Sequence, residues 1–209
     1  MKKILLTLCI ISVPLMAQSA DEKEVLKSVG KSNQIERSVN FAPKPSKRKK
    51  VGRKITSAPS IIINKRSSIL EWKGGLKFVN NNHNGNLKIK GGSIYLQENN
   101  KITGNIVINM MSMTNIDLPD SKKDYLIGHL RSEDFFHVDR YPIASLEINN
   151  SKILEKKSNG KYNMQISGDL TVKSTTKPIV FTALVDLDSD IKSASGTMEF
   201  NRTDFEVQY

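Results

Sequence analysis

From Ile61 onward the chain alternates apolar and polar residues in short runs, and few folds tolerate that pattern. A period of two sends successive side chains to opposite faces of an extended strand, so each run makes a strand with one face to bury. The clearest run is Ile179, Phe181, Ala183, Val185 and Leu187, whose odd positions should be buried while Thr182 and Asp186 face water. Leu87 with Ile89, Ile94 with Leu96, Ile106 with Ile108 and Met110, Leu146 with Ile148, Tyr162 with Met164 and Ile166, Leu170 with Val172, and Met198 with Phe200 repeat it. Between the runs stand Asn80-Asn81-Asn82-His83-Asn84-Gly85, Gly91-Gly92, Glu98-Asn99-Asn100-Lys101, Ser158-Asn159-Gly160 and Asp188-Ser189-Asp190. These are turn residues, and the chain reads as a meander of hairpins. Such a meander is all-β and antiparallel, and it suits a closed up-and-down β-barrel or a sandwich.

One stretch breaks the alternation. Within residues 120–141, Tyr125, Leu126, His129 and Leu130 recur at helical spacing, and Ser132-Glu133-Asp134 precedes Phe135-Phe136. This predicts a short helical crossing that lids one end of the strands.

The residues before Ile61 are of another kind. Residues 1–20 have Lys2 and Lys3, an apolar run from Ile4 to Met16, and then Ala17-Gln18-Ser19-Ala20, the layout of a cleavable secretory signal peptide. The apolar run is too short to span a bilayer, which takes roughly 20 residues. The single cysteine, Cys9, lies inside it, so the mature chain is expected to lack disulfides and thiolate chemistry. Residues 21–60 carry eleven Lys and Arg against four Asp and Glu, whereas residues 61–209 carry nineteen against seventeen. The basicity thus belongs to a linker, disordered by its composition, with one marginal helix near Val25, Leu26 and Val29. Its run Lys47, Arg48, Lys49 and Lys50 reads either as a solvated spacer or as a contact for an anionic envelope surface; nucleic acid is not the expected partner of an exported chain.

The run Gly128-His129-Leu130-Arg131-Ser132-Glu133-Asp134-Phe135-Phe136-His137-Val138-Asp139-Arg140-Tyr141-Pro142 resembles the signature of the YceI-like family. Further blocks follow in the family's order: Leu70-Glu71-Trp72-Lys73-Gly74, His83-Asn84-Gly85, Ser93-Ile94-Tyr95, Gly168-Asp169-Leu170-Thr171-Val172-Lys173 with Thr176-Lys177-Pro178-Ile179, and Asn201-Arg202-Thr203-Asp204-Phe205. The resemblance covers nearly all of residues 67–209. It implies a lipocalin-like antiparallel barrel with a hydrophobic interior that takes a long apolar chain, in a periplasmic protein. Two departures stand out. Glu206 occupies a position where the family has Gly, and the family's final strand has no counterpart before Tyr209. The barrel is therefore expected to be one strand short, with an open edge beside the strand of Met198 and Phe200 or beside that of Leu70 and Trp72.

The chemistry legible in the chain is that of binding. There is no nucleophile elbow, phosphate loop or dinucleotide fingerprint. His83, His129 and His137 lack metal-ligand spacing, and Asp117, Asp120 and Asp124 lack the calcium-loop pattern, so no cofactor or metal is expected. The candidate ligand-binding residues are Trp72, Leu130, Phe135, Phe136, Tyr141 and Phe181. Core filling uses the same residue types, and on that alternative Arg131, Asp134 and Arg140 pin the crossing to its neighbours. The leading reading is an exported protein holding an isoprenoid-type or other long-chain amphiphilic lipid, without catalysis. Two others stay open: an envelope-adhering structural factor working through its basic linker, and a barrel enzyme on a lipid or quinone-like substrate with His129 or His137 as general base.

Overall fold

The computed structural model describes residues 3–11, 60–75 and 82–207, all within one compact unit of residues 1–15 and 57–209. The basic run at residues 47–50 and the marginal helix lie outside the described residues. In chain order the elements are β1 (Lys3–Ile11), β2 (Ser60–Ile62), β3 (Ile69–Gly74), β4 (His83–Leu96), β5 (Ile102–Asn109), α1 (Asp120–Arg131), β6 (Ile143–Lys156), β7 (Tyr162–Val172), β8 (Thr175–Asp186) and β9 (Ser193–Asn201). The strands form one antiparallel sheet that closes on itself in the order β3-β1-β9-β8-β7-β6-β5-β4 and back to β3, with β2 beside the far half of β4. The chain is thus an all-β barrel with one helix.

Alternation sets the inside. In β7, Tyr162, Met164, Ile166, Gly168, Leu170 and Val172 are all buried, and the residues between them are not. Burying each large member contributes roughly 1.5–3 kcal/mol. The register predicted for β8 holds, with Ile179, Ala183, Val185 and Leu187 buried, Phe181 half-buried and Thr182 exposed. Asp186 differs from expectation: it is buried, because its carboxylate accepts the Ser189 N–H at 3.0 Å and the Ser189 hydroxyl at 2.8 Å to close the turn.

The edge expected to stand open is filled. β1 runs between the two terminal strands, from Ile4 opposite Gly74 to Cys9 opposite Ile69 on β3, and from Lys3 opposite Asn201 to Ile11 opposite Ser193 on β9. An extended apolar segment satisfies both rows of backbone groups at once, which is the physical reason for its capture. The last strand also ends earlier than expected, at Asn201, and gives way to a single-turn 3-10 helix over Arg202–Phe205. β8 and β9 pair only along residues 182–186 and 193–197 and then diverge. Pro178, which has no N–H to give, lies in the half of β8 whose sole described ladder partner is β7.

The crossing is a twelve-residue helix, α1. A helix of this length is marginal by itself and depends on tertiary contacts. Leu130 is buried, and Leu126 and Ile127 pack on the core. Tyr125, predicted to share that face, is 86% exposed: the inward stripe runs Leu126, His129, Leu130, and Tyr125 falls one step, about 100°, to its side. The Arg131 guanidinium closes the joint by donating from Nη2 to the carbonyls of Met111 (2.7 Å) and Met113 (2.9 Å). Asp134 is exposed and Arg140 lies 5.4 Å over the Tyr141 ring, so of the three residues expected to pin the crossing, Arg131 does so.

Trp72 ties the segment before the helix to the wall. Its indole N–H donates to the Thr114 carbonyl at 3.0 Å, across Gly85, its partner on β4. A Cβ on Gly85 would stand 1.7 Å from that carbonyl oxygen and 2.8 Å from the indole nitrogen, so the bond requires glycine there. Gly85→Ala is expected to lower stability by about 1–3 kcal/mol, the range for overpacking and loss of one buried hydrogen bond, read as a shift of the urea midpoint. A second expectation concerns closure. A chain lacking residues 1–20 should exchange the amides of β3 and β9 much faster than the full chain, and unchanged protection would mean that β1 does not hold these edges.

Candidate functional site

A hollow of about 200 Å³ lies at one end of the barrel. Trp72 from β3, Leu87 from β4, Ile108 from β5, Ala144 from β6, Leu170 and Val172 from β7, and Phe200 from β9 make its wall. Leu126, His129 and Leu130 of α1, with Phe135 and Phe136 after it, make its roof. The two Phe rings meet edge to face at 4.9 Å, and His129 meets Phe135 the same way at 5.8 Å. Such rings supply large apolar area at fixed geometry.

The strands show where the hollow ends. Along β6, Ala144 lines it and Ile148 lines a second hollow of about 70 Å³ at the other end, while Leu146 between them lines neither. Ile89 on β4, between Leu87 and Ile94, and Met198 on β9, between Gly196 and Phe200, repeat the arrangement. All three are buried, as is Leu70 on β3, which lies opposite Leu87. Leu146, Ile89 and Met198 thus stand along their strands between the two hollows, as a floor to the larger one. The larger is below the roughly 300–1,000 Å³ usual for small-molecule sites.

Two polar groups besides His129 interrupt the apolar lining. His83 Nδ1 lies 2.8 Å from Asp117 Oδ2, and the other carboxylate oxygen accepts from the Asn84 N–H (2.8 Å) and Asn115 Nδ2 (2.6 Å). Burial works against the Asp117 charge, but the hydrogen bonds from Asn84, His83 and Asn115 outweigh it and hold the carboxyl below its usual range. The other group is Arg202, 8% exposed, whose Nη1 donates to the Val207 carbonyl at 2.6 Å and whose guanidinium carbon lies 4.6 Å from the Phe135 ring centre. Burial lowers its pKa.

Of the residues singled out in the sequence, Trp72, Leu130, Phe135 and Phe136 meet at this hollow. Tyr141 does not: it packs edge to face on His137 at 5.9 Å. Phe181 lines the smaller hollow instead. Arg202, His83, Phe200 and Met113 line the larger one without having been singled out as ligand contacts: Phe200 was read as one of an alternating strand pair, and the other three sit at a strand end or in a loop where periodicity is silent. Among the described residues no group of three or more His, Cys, Asp or Glu is placed to hold a metal ion.

A UPF0312 protein of Photorhabdus laumondii is 29% identical over 99 residues, 47% of this chain and 46% of the relative, so the match spans a little under half of that protein. Among solved structures, BcnA of Burkholderia cenocepacia superposes with a TM-score of 0.48 at 20% identity, covering 63% of this chain and 77% of its own. The Campylobacter jejuni YceI protein gives 0.42 at 20% identity, covering 64% and 75%. The model of the YceI-like domain matches residues 62–209, well over half of the chain, and the chain therefore belongs to the YceI-like family.

Proposed function

We propose that this protein is an exported, periplasmic binding protein that holds the apolar part of an isoprenoid-type or other long-chain amphiphilic lipid in its barrel. The observation that carries the reading is the roofed hollow, lined by Trp72, Leu130, Phe135 and Phe136. Its described lining contains no Ser, Thr, Cys or Lys to act as a nucleophile. Each CH₂ buried there contributes about 0.8 kcal/mol, so a chain of moderate length suffices for retention. In this reading residues 1–20 are the export signal, so closure through β1 belongs to the chain before cleavage and its removal frees the facing edges of β3 and β9, and the basic run at residues 47–50 is a spacer or a contact with anionic envelope surfaces.

The floor limits what enters. At about 200 Å³ the compartment is little larger than the roughly 150 Å³ engineered cavity that takes one benzene, so a long chain enters fully only when the floor parts. Protein purified from a bacterial envelope and examined by native mass spectrometry should carry a ligand with a long apolar chain; an interior empty under those conditions would refute the reading. Leu146→Ala should join the compartments and shift the preferred ligand to longer chains, at a stability cost of about 2–5 kcal/mol.

A further inference from the structure

We propose that Arg202 is the recognition residue for a carboxylate head group, so that the amphiphile taken by the larger hollow is of the fatty-acid type. This rests on the hydrophobic-ligand reading and adds a head group to it. The observation is a buried cation with no described counter-charge. The ion pairs among the described residues are His83 with Asp117, Lys123 with Asp120, Lys156 with Asp188 and Lys157 with Glu155, and none involves Arg202. An arginine does not escape such burial by giving up its proton, and an unpaired buried charge is costly. Among the described residues Arg202 is such a charge, on the wall of an otherwise almost apolar hollow.

The side chain is also held in place. Arg202 opens the Arg202–Phe205 turn, Asn201 caps that turn by accepting the Thr203 N–H at 3.4 Å, and Glu206 takes a left-handed conformation (φ 58°) that returns the chain. The Val207 N–H then donates to the Arg202 carbonyl at 3.2 Å, and the Val207 carbonyl receives Nη1. Phe135 covers the guanidinium plane. One carbonyl and one ring face leave most of the five N–H donors of a guanidinium for another acceptor. A carboxylate fits that need best, since its two oxygens match two parallel N–H bonds.

Charge balance selects among anions. One buried guanidinium neutralises one negative charge, which a carboxylate carries. A phosphomonoester carries about −1.5 to −2 near neutral pH and would leave the excess against Phe135, Phe136 and Leu170. An alcohol or amide head would leave the cation uncompensated.

The test uses the full chain and three probes of one tail length, dodecanoate, dodecanol and dodecyl phosphate, titrated below their micelle concentrations. Dodecanoate should bind roughly ten- to a hundredfold more tightly than dodecanol, the range that a charge-assisted hydrogen bond supports. Arg202→Gln should abolish that preference, and Arg202→Lys should retain part of it. Equal binding of dodecanoate by the wild type and Arg202→Gln, with dodecanol still bound, would overturn the proposal alone and leave Arg202 as a fastening of the 202–207 turn. Tighter binding of dodecyl phosphate than of dodecanoate would overturn the choice of head group. Failure of all three probes to bind would remove the hydrophobic-ligand reading and this proposal with it. Should Arg202→Gln fail to fold, the wild-type preference decides: no discrimination between dodecanoate and dodecanol overturns the proposal.

Discussion

Backbone pairing around the ring is the constraint on which everything else in this molecule depends. A sheet with one face turned inward needs every strand to have two neighbours, because an unpaired row of N–H and C=O groups is both costly where buried and adhesive where exposed. Here the ring closes through β1, which pairs with β3 on one side and β9 on the other. Closure gives the barrel an interior at all, and the alternation along each strand fills that interior with apolar side chains. The hollow, the floor and the roof are later consequences of this single condition.

The roof shows how little of its own sequence a lid needs. α1 is largely polar and buries one residue completely, Leu130. Its position is set by Arg131 holding two carbonyls of the preceding segment and by Trp72 holding a third. Backbone acceptors are insensitive to the side chains they belong to, so the attachment persists while Met111, Met113 and Thr114 remain free to serve other roles. The aromatic pair after the helix then seals the end, and the same Phe135 that faces the hollow also covers the Arg202 guanidinium.

Much of the fold was legible in the sequence, for a physical reason: β6 from Ala144 to Ile148, β7 along its length and β8 from Ile179 to Val185 carry apolar residues or glycine at every second, inward position. Trp72, Leu130, Phe135 and Phe136 were legible as a group because the block around residues 128–142 resembled a known signature. Other features were silent because they arise from tertiary pairing. Nothing local in residues 3–11 says which strands they lie between, since an apolar extended run pairs with any open edge. Asp186 has the look of a solvent-facing strand residue, and the two hydrogen bonds from Ser189 that bury it belong to the turn. Arg202 reads as an ordinary basic residue until Val207 folds back over it. Leu146 cannot be told from Ala144 or Ile148 by periodicity, though the three belong to different levels of the interior.

The smaller hollow takes on meaning beside the floor. Close-packed interiors resist intrusion because a displaced side chain has nowhere to go. In this barrel the residues next in line to Leu146 and Met198, Ile148 and Gly196, border vacant space of about 70 Å³. That vacancy is room for a crumple zone. A ligand pressing from above would find space beyond Leu146, or beyond the more pliable Met198, so that the volume could adjust without parting the strands.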